Sequence, residues 1–231
     1  MTIGIMQPYF MPYLGYWQLM AAVDKYVVYD DVNYIKGGWV SRNNILMNGQ
    51  AHMFTITLNG ASPNKHFNEI EVRDDFKKFR NMLQSCYAKA PYYNEIMSIM
   101  EQILKYENRN LGAFLYHSYQ VILDYLGINT ELILSSTIEK DNSLRAEHKV
   151  KHICHLLGAD TYYNTIAGEN LYDSNDFAND GIMLKFVKTH PIVYQQYKNE
   201  FVPNLSIIDV LMFNGKEGTK QLLKEYMLVC K

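Results

Sequence analysis

Residues 3–19 read Ile3-Gly-Ile-Met-Gln-Pro-Tyr-Phe-Met-Pro-Tyr-Leu-Gly-Tyr-Trp-Gln-Leu19, and this stretch decides the predicted fold. The apolar run Ile3 to Met6 is typical of a buried strand and stops at Gln7-Pro8. Aromatic residues, a proline and a glycine follow, and a helical pattern then begins near Trp17. Because ligands of open α/β sheets bind at the carboxyl ends of strands, this strand-loop-helix junction is a candidate site.

The segments that follow predict an α/β protein. Lys25 to Asp30 indicates a second strand, parallel to the first, because a helix of roughly Tyr16 to Val23 joins the two. The fold class predicted is a Rossmann-like (HUP-like) open, mainly parallel sheet with an inserted or appended helical layer. We expect a single domain over residues 1–231, with 74–126 as a helical insertion. Further predicted helices cover 74–88, 91–106, 111–126, 143–157 and a region from Ser206, further strands cover 131–134, 161–164 and 181–187, and a hairpin turns at Asn48-Gly49.

The composition argues against several classes of binding partner. A net charge of −2 gives no electrostatic case for binding nucleic acid. Three cysteines without a Cys-x-x-Cys pair argue against a disulfide framework or a zinc site, so a cytoplasmic location is expected. The sequence contains no window of about 18 apolar residues, so no membrane span is predicted. Nineteen tyrosines suit either a core with paired hydroxyls or a polar cleft of sugar or nucleotide size.

The opening loop supplies the first candidate site residues. Gln7, at the predicted end of the first strand, can exchange hydrogen bonds with a ligand and is a catalytic candidate. Gly15 allows close approach of a ligand to the backbone. Tyr9, Tyr13 and Tyr16 are candidates for substrate binding. The alternative is a rigid structural loop whose aromatic rings pack into the core.

Two carboxylates, Asp30 and Asp31, follow the second predicted strand. Adjacent side chains of an extended strand point to opposite faces, so we expect only one of them to face the cleft. That carboxylate could act as a general base toward an amine or a hydroxyl. A turn that ends the strand explains the pair equally well.

A loop with two adjacent glycines then carries Lys36, Trp39, Arg42 and Asn43. An arginine can grip phosphate oxygens through two hydrogen bonds, and an indole can cover a base or a sugar ring. These residues therefore predict contacts with a phosphate or nucleotide ligand. The alternative is surface charge beside a buried tryptophan.

Later segments add weaker candidates. Arg145 is a candidate phosphate or carboxylate contact, although an ordinary surface ion pair is equally consistent with the sequence. His148, His152 and His155 share one helix face, yet a polar helix face explains them better than a metal site. Ser206 has the spacing of a helix cap with Asp209, which explains both residues without a ligand.

Several of these strings together resemble the WbqC-like family. The segments that carry the resemblance are the opening stretch, Tyr29-Asp-Asp-Val-Asn-Tyr-Ile-Lys-Gly-Gly-Trp-Val-Ser-Arg-Asn43, Leu157-Gly-Ala-Asp-Thr-Tyr-Tyr-Asn164, Gly168-Glu-Asn-Leu-Tyr172 and Phe201-Val-Pro-Asn-Leu-Ser-Ile-Ile-Asp209. The likeness covers nearly the whole chain and adds further residues that could complete the cleft, namely Glu169, Tyr172, Asn204, Ser206 and Asp209. The family is associated with bacterial surface-polysaccharide gene clusters.

The resemblance implies an enzyme of O-antigen or capsule precursor synthesis. The expected reaction transfers an acyl or aminoacyl group from an activated acyl donor to a nucleotide-linked amino sugar, with no cofactor or metal identified. A homodimer or an acyl-carrier protein is a further expected partner. An alternative is a non-catalytic accessory protein of a glycan assembly complex.

A second alternative is an ATP-using ligase or nucleotidylyl transferase, because the layout of the first 31 residues is similar to that superfamily. Its phosphate-binding histidines would fall on Tyr13 and Tyr16. Tyrosine is neutral at pH 7 and cannot supply an imidazolium, so the sequence disfavours adenylyl transfer.

Overall fold

The computed structural model describes residues 1–198 and 200–230, in which ten strands and seven α-helices occur. The strands are β1 (Thr2–Met6), β2 (Lys25–Val28), β3 (Arg42–Met47), β4 (Gln50–Thr55), β5 (Leu58–Asn59), β6 (Glu71–Val72), β7 (Glu131–Leu134), β8 (Thr161–Thr165), β9 (Met183–Thr189) and β10 (Tyr226–Val229). The helices are α1 (Leu14–Ala21), α2 (Lys77–Tyr87), α3 (Tyr93–Leu104), α4 (Leu111–Leu126), α5 (Ala146–Leu156), α6 (Ser174–Asn179) and α7 (Ile207–Leu222).

A six-stranded sheet with the order β10-β9-β8-β1-β2-β7 forms the centre of the molecule. Its strands are parallel except for β10, which runs antiparallel to β9. From β1 the chain adds β2 and β7 on one side, and then β8, β9 and β10 on the other. The direction of growth therefore reverses between β1 and β8, which makes this junction the topological switch point. The predicted Rossmann-like, mainly parallel sheet is confirmed.

Alternate residues of the central strands enter two different cores. Ile3 and Ile5 of β1 belong to a core with Ile153 of α5, on one face of the sheet. Gly4 faces the other side, where a Cβ atom would lie 3.2 Å from the ring of Tyr26. The glycine lets α1 approach the sheet closely, which holds the loop between β1 and α1 at the sheet edge.

The larger core lies on that second face. It joins α1 and α7 with α2, α3 and α4, which lie between β6 and β7 in the chain. The period of 3.6 residues correctly predicts these three helices, and their bounds differ from the expected ones by at most three residues. The limits of an insertion at 74–126 stay a prediction.

Local backbone geometry explains the hairpin and exposes one strand that the sequence analysis misses. Asn48 and Gly49 have φ of 53° and 76°, as a type I′ turn between β3 and β4 requires. The sequence analysis does not include β10, a short edge strand whose Met227 and Leu228 are partly exposed. An edge strand with apolar residues on both faces lacks the alternation from which strands are predicted.

Candidate functional site

A cavity of about 410 Å³ lies at the topological switch point, and we name it the aromatic cleft. Met6 ends β1 and Thr165 ends β8, so the cleft sits over the carboxyl ends of the two strands where sites of such sheets lie. Its lining brings together the opening loop and the loop after β2, as the sequence analysis expects. The lining residues are Met6, Tyr9, Tyr13, Tyr16, Trp39, Asn43, Thr165, Ala167 and Asn204.

Tyrosine hydroxyls hold the opening loop through its backbone. The hydroxyl of Tyr119 accepts a hydrogen bond from the Tyr9 amide and donates one to the Tyr9 carbonyl, both at 2.8 Å. The Tyr9 hydroxyl accepts from the Tyr13 amide at 3.1 Å, and the Tyr16 hydroxyl donates to the Gln7 carbonyl. Burial raises the pKa of each of Tyr9, Tyr16 and Tyr119, so these hydroxyls stay neutral and the loop is preformed.

Tyr13 and Tyr16 stand at the positions where a nucleotidylyl transferase would have its phosphate-binding histidines. Tyr13 is the residue that precedes the first turn of α1, and Tyr16 is buried with its hydroxyl on a backbone carbonyl. Burial raises the pKa of both side chains. Neither supplies a positive charge for a phosphate at the start of α1.

Two residues with an unusual backbone conformation lie beside the cleft. Met11 and Asn204 adopt φ of 50° and 58°, a region that residues other than glycine rarely occupy. The amide of the buried Asn43 side chain donates to the Met11 carbonyl at 2.6 Å and holds that conformation. The amide of the Asn43 side chain is therefore used to stabilise the wall of the aromatic cleft. Strain of this kind is typical of ligand sites, where the surrounding structure maintains it.

Trp39 offers the cleft an aromatic face. Its side chain is 50% exposed, and the guanidinium of Arg42 lies 5.7 Å from the ring centroid. Arg42 also donates to the Gly37 carbonyl, so it braces the glycine-bearing loop. Lys36, on the same loop, is exposed and lines neither the cleft nor the basic pocket described next.

A second cavity, of about 660 Å³, lies over the carboxyl ends of β2 and β7 beside the start of α5, and we name it the basic pocket. Asp31 forms ion pairs there with Lys140 at 2.7 Å and Lys149 at 3.9 Å. Burial would raise the pKa of Asp31, but the hydrogen bond and charge of Lys140 and the charge of Lys149 outweigh it and lower that pKa. The lining residues are Tyr29, Asp31, Val32, Asn33, His66, Asn68, Ser136, Ile138, Lys140, Asn142, Leu144, Arg145, Ala146 and Lys149.

The Asp30 side chain points away from the basic pocket, as expected for the neighbour of Asp31 at a strand end. Its carboxylate accepts hydrogen bonds from the Ser136 amide at 2.9 Å and the Ser136 hydroxyl at 2.6 Å. It packs against α4, where a Cβ atom on Gly112 would lie 2.9 Å from the Asp30 Cβ. Burial raises its pKa, against the effect of the Ser136 hydrogen bonds. Asp30 is buried and lines neither cavity, so of the two carboxylates only Asp31 can meet a ligand there.

The other predicted site residues are divided among several places. Arg145 lines the basic pocket and donates to the carbonyls of Asn142 and Leu144. Gly15 lines a third cavity, on the far side of Tyr13. The Gln7 side chain is half-buried next to the cleft, at the end of β1.

Glu169 and Tyr172 lie just beyond β8, in and after a 3₁₀ turn over Ile166–Leu171. Glu169 is half-buried. Tyr172 packs edge-on against the rings of Tyr162 and Phe177, so its ring contributes to the smaller core. Neither residue lines the aromatic cleft.

The lining residues that escape the sequence analysis include Lys140, Lys149 and Thr165. Lys140 follows β7, the third parallel strand, and the rule that sites form at carboxyl ends could have found it. Lys149 lies one helical turn after Arg145, on the same side of α5. Thr165 carries no signal of its own, because only the fold brings it to the cleft, whereas Asn204, which the family resemblance offers as a cleft residue, does line it.

The two residues of the predicted helix cap, Ser206 and Asp209, have different structural roles. The Ser206 hydroxyl accepts from the Ile208 amide and caps α7, as predicted. The capping-box interpretation of Asp209 is wrong, because its carboxylate binds the Tyr87 and Tyr194 hydroxyls and the Gln196 amide. Over residues 1–198 and 200–230, no group of three or more His, Cys, Asp or Glu side chains is arranged to hold a metal ion.

Comparisons with known proteins agree with this architecture. The sequence profile of the WbqC-like protein family matches residues 7–221. The chain belongs to the WbqC-like family. It is also similar to the Mycobacterium tuberculosis (strain ATCC 25618 / H37Rv) protein named "Uncharacterized protein Rv1507c", with 25% identity over 236 residues that cover 99% of this chain and 98% of the relative. No solved structure matches the chain.

Membership in the WbqC-like family suggests a role related to polysaccharides. Among the helices of the described ranges, none has the length and apolar character that a bilayer crossing requires.

Proposed function

We propose that this WbqC-like protein is a transferase of bacterial surface-polysaccharide precursor synthesis. It would move an acyl or aminoacyl group onto the amine of a nucleotide-linked amino sugar. The observation that carries the proposal is the pairing of two cavities on one sheet edge. One is aromatic and neutral, the other is cationic, and a nucleotide-linked sugar has a matching neutral ring and charged diphosphate.

The aromatic cleft suits the sugar. Aromatic faces pack against the apolar faces of a sugar ring, and Trp39 is half-exposed at the rim for this contact. Neutral hydroxyl and amide groups of Tyr13 and Asn204 can exchange hydrogen bonds with sugar hydroxyls. Gln7, at the end of β1, is in the position to orient the ring.

The basic pocket suits the diphosphate. Three cationic side chains, Lys140, Lys149 and Arg145, outnumber the single carboxylate of Asp31 in its lining. The cleft lies over β8 and β1 and the pocket over β2 and β7, so strand spacing separates their centres by roughly 10 Å. One extended ligand can reach both.

The proposed reaction needs no covalent enzyme intermediate. The amine nitrogen attacks the acyl carbon of an activated donor, the new C–N bond forms, and the bond from the acyl carbon to its leaving group breaks. The amine loses a proton in the same step, and the leaving group takes that proton up. Asp31, which the charge of Lys140 keeps ionised, lies in the basic pocket away from the attacking amine and positions the lysines there.

Titration calorimetry with a panel of nucleotide-linked amino sugars tests the first step. We expect at least one of them to bind, and to bind more tightly than its free nucleotide because the sugar adds the contacts of the cleft. Absence of binding across the panel would contradict the proposal. Mass spectrometry of the surface glycan from a deletion strain tests the reaction itself, because the proposal requires one acyl substituent to disappear.

A further inference from the structure

A third cavity, of about 440 Å³, adjoins the aromatic cleft, and we name it the apolar cavity. Tyr13 and Asn204 line both cavities, so these two residues form the wall between them. The apolar cavity lies between the start of α1, the end of β9 and the segment before α7. Its side chains include Ile192, Val193 and Phe201.

Two of the polar side chains that line this cavity are turned into the protein. The Thr189 hydroxyl donates to the Gln18 side-chain oxygen at 2.6 Å, and Gln18 is buried. The Tyr194 hydroxyl donates to the buried Asp209 carboxylate at 2.7 Å. With these hydrogen-bonding groups satisfied inside the molecule, the cavity presents mainly hydrocarbon to a ligand.

The wall that carries Tyr194 and Phe201 is held in place by hydrogen bonds. The Gln196 side chain accepts from the Val202 amide at 2.7 Å and donates to the Val202 carbonyl at 3.1 Å. The same side chain donates to Asp209 at 2.7 Å, which ties this wall to α7. The cavity is therefore preformed, as small-molecule sites are.

We propose that the apolar cavity binds the aliphatic acyl chain of the donor, with the acyl carbonyl at the wall formed by Tyr13 and Asn204. This inference rests on the proposed function, because it supplies the acyl group to an amine in the adjoining cleft. The occupant is an acyl chain and not a second phosphate, since the cationic side chains lie at the opposite end of the sheet edge. The reaction is the one described above, with a thioester donor: the C–N bond forms, the C–S bond breaks, and the thiol takes up the proton.

Thioesters of pantetheine with acetyl and butyryl chains serve as probes in calorimetric titrations of the full chain. Burying each added methylene contributes about a fourfold gain in affinity, so butyryl should bind about 15-fold more tightly than acetyl. Val193→Asp places a charge at the rim, where Val193 is 74% exposed and the fold is not at risk. We expect it to weaken butyryl binding at least tenfold.

Leu171→Asp is the matched control, because Leu171 is 71% exposed and lies outside this cavity. It should change butyryl binding less than twofold, and both variants should bind the nucleotide-linked sugar as the wild type does. Failure of the wild type to bind butyryl, or equal binding by Val193→Asp, would overturn the acyl site even if the sugar binds. Val193-dependent butyryl binding without any sugar binding would support the acyl site and overturn the proposed function.

Discussion

Two carboxylates near the carboxyl edge of the sheet are held in opposite ways. Asp31, in the basic pocket, is compensated by charge, from Lys140 at 2.7 Å and Lys149 at 3.9 Å. Asp209, fully buried beneath the wall of the apolar cavity, is compensated by hydrogen bonds from neutral groups of Tyr87, Tyr194 and Gln196. The pKa of Asp31 is lowered by its cations against the effect of burial, whereas burial raises that of Asp209.

The difference separates a proposed ligand site from a purely structural hydrogen-bond network. The cations around Asp31 outnumber its charge, so positive charge remains for an incoming anion. The donors around Asp209 are all used, and they connect α2, α7 and the segment before α7. We therefore expect the two carboxylates to respond differently to substitution and to pH.

The largest expected loss of stability follows Asp31→Asn. The substitution leaves Lys140, whose side chain is 1% exposed, without its anionic partner. Breaking a buried ion pair in this way destabilises by about 3 kcal/mol, since water cannot replace the lost charge. Urea denaturation at pH 7 measures the loss. Glu131→Gln, which breaks the exposed pair with Lys25, is the control and should cost less than about 1 kcal/mol; equal losses would contradict the buried pairing.

The pH dependence of this loss has a defined sign. A lowered pKa means that the Asp31 pair contributes stability above the unfolded value of about 3.9, and that this contribution disappears as pH falls through the folded pKa. The difference between wild type and Asp31→Asn should therefore be full at pH 6–7 and shrink below about pH 4.

Asp209→Asn should cost about 2 kcal/mol, because an amide cannot accept from all three donors and leaves buried groups unsatisfied. Its pH dependence should be the reverse. Because the pKa of Asp209 is raised in the folded state, its contribution to stability is fully present below about pH 4 and falls as pH rises through the folded pKa. The difference in stability between wild type and Asp209→Asn should therefore become smaller as pH rises. Denaturation at pH 4 and 7 measures it, with Asp124→Asn on the exposed side of α4 as the control. A deficit that grows with pH would contradict this account of Asp209.

The sequence predicts the parallel sheet and most helices because burial leaves a periodic pattern. Strands such as Glu131–Leu134 are recovered with the observed bounds. The edge strand β10 is missed, since its sequence does not alternate between apolar and polar residues. Asp209 is misassigned because its spacing from Ser206 fits a cap, while its partners Tyr87 and Tyr194 are distant in sequence or on another element.

The sequence analysis correctly expects the opening loop and the glycine-bearing loop to lie together, and the functional role of their residues stays a prediction. Tyr9, Tyr13, Trp39 and Asn43 do meet in one cleft, because β1 and β2 are neighbours. Asn204 is offered as a cleft residue by the family resemblance alone, because its position depends on how the segment before α7 returns to the opening loop through the bridge between Tyr13 and Ser206.

Trp39→Ala should weaken binding of the nucleotide-linked sugar about tenfold, because stacking contributes up to about 1.5 kcal/mol beyond area. Ile35→Ala offers a close control. Ile35 is on the same loop and is equally exposed, at 50%, but lies outside the cleft. Calorimetric titration should show less than a twofold change for it. Equal weakening by both substitutions would mean that the loop acts through its general apolar surface and not through the indole.

The smallest expected effect distinguishes the two places where the diphosphate could bind, the basic pocket and the glycine-bearing loop. Arg145→Ala removes a cation from the basic pocket and should weaken binding about fivefold, as loss of one partly exposed charge contact does. Lys36→Ala removes an exposed cation outside both cavities and should change affinity less than twofold. Titrations at 50 and 300 mM salt should show a weaker salt dependence for Arg145→Ala only, because that charge would contact the diphosphate. The reverse order of effects would move the diphosphate to the glycine-bearing loop, where the sequence analysis expects it, and would leave the surplus charge around Asp31 without a ligand.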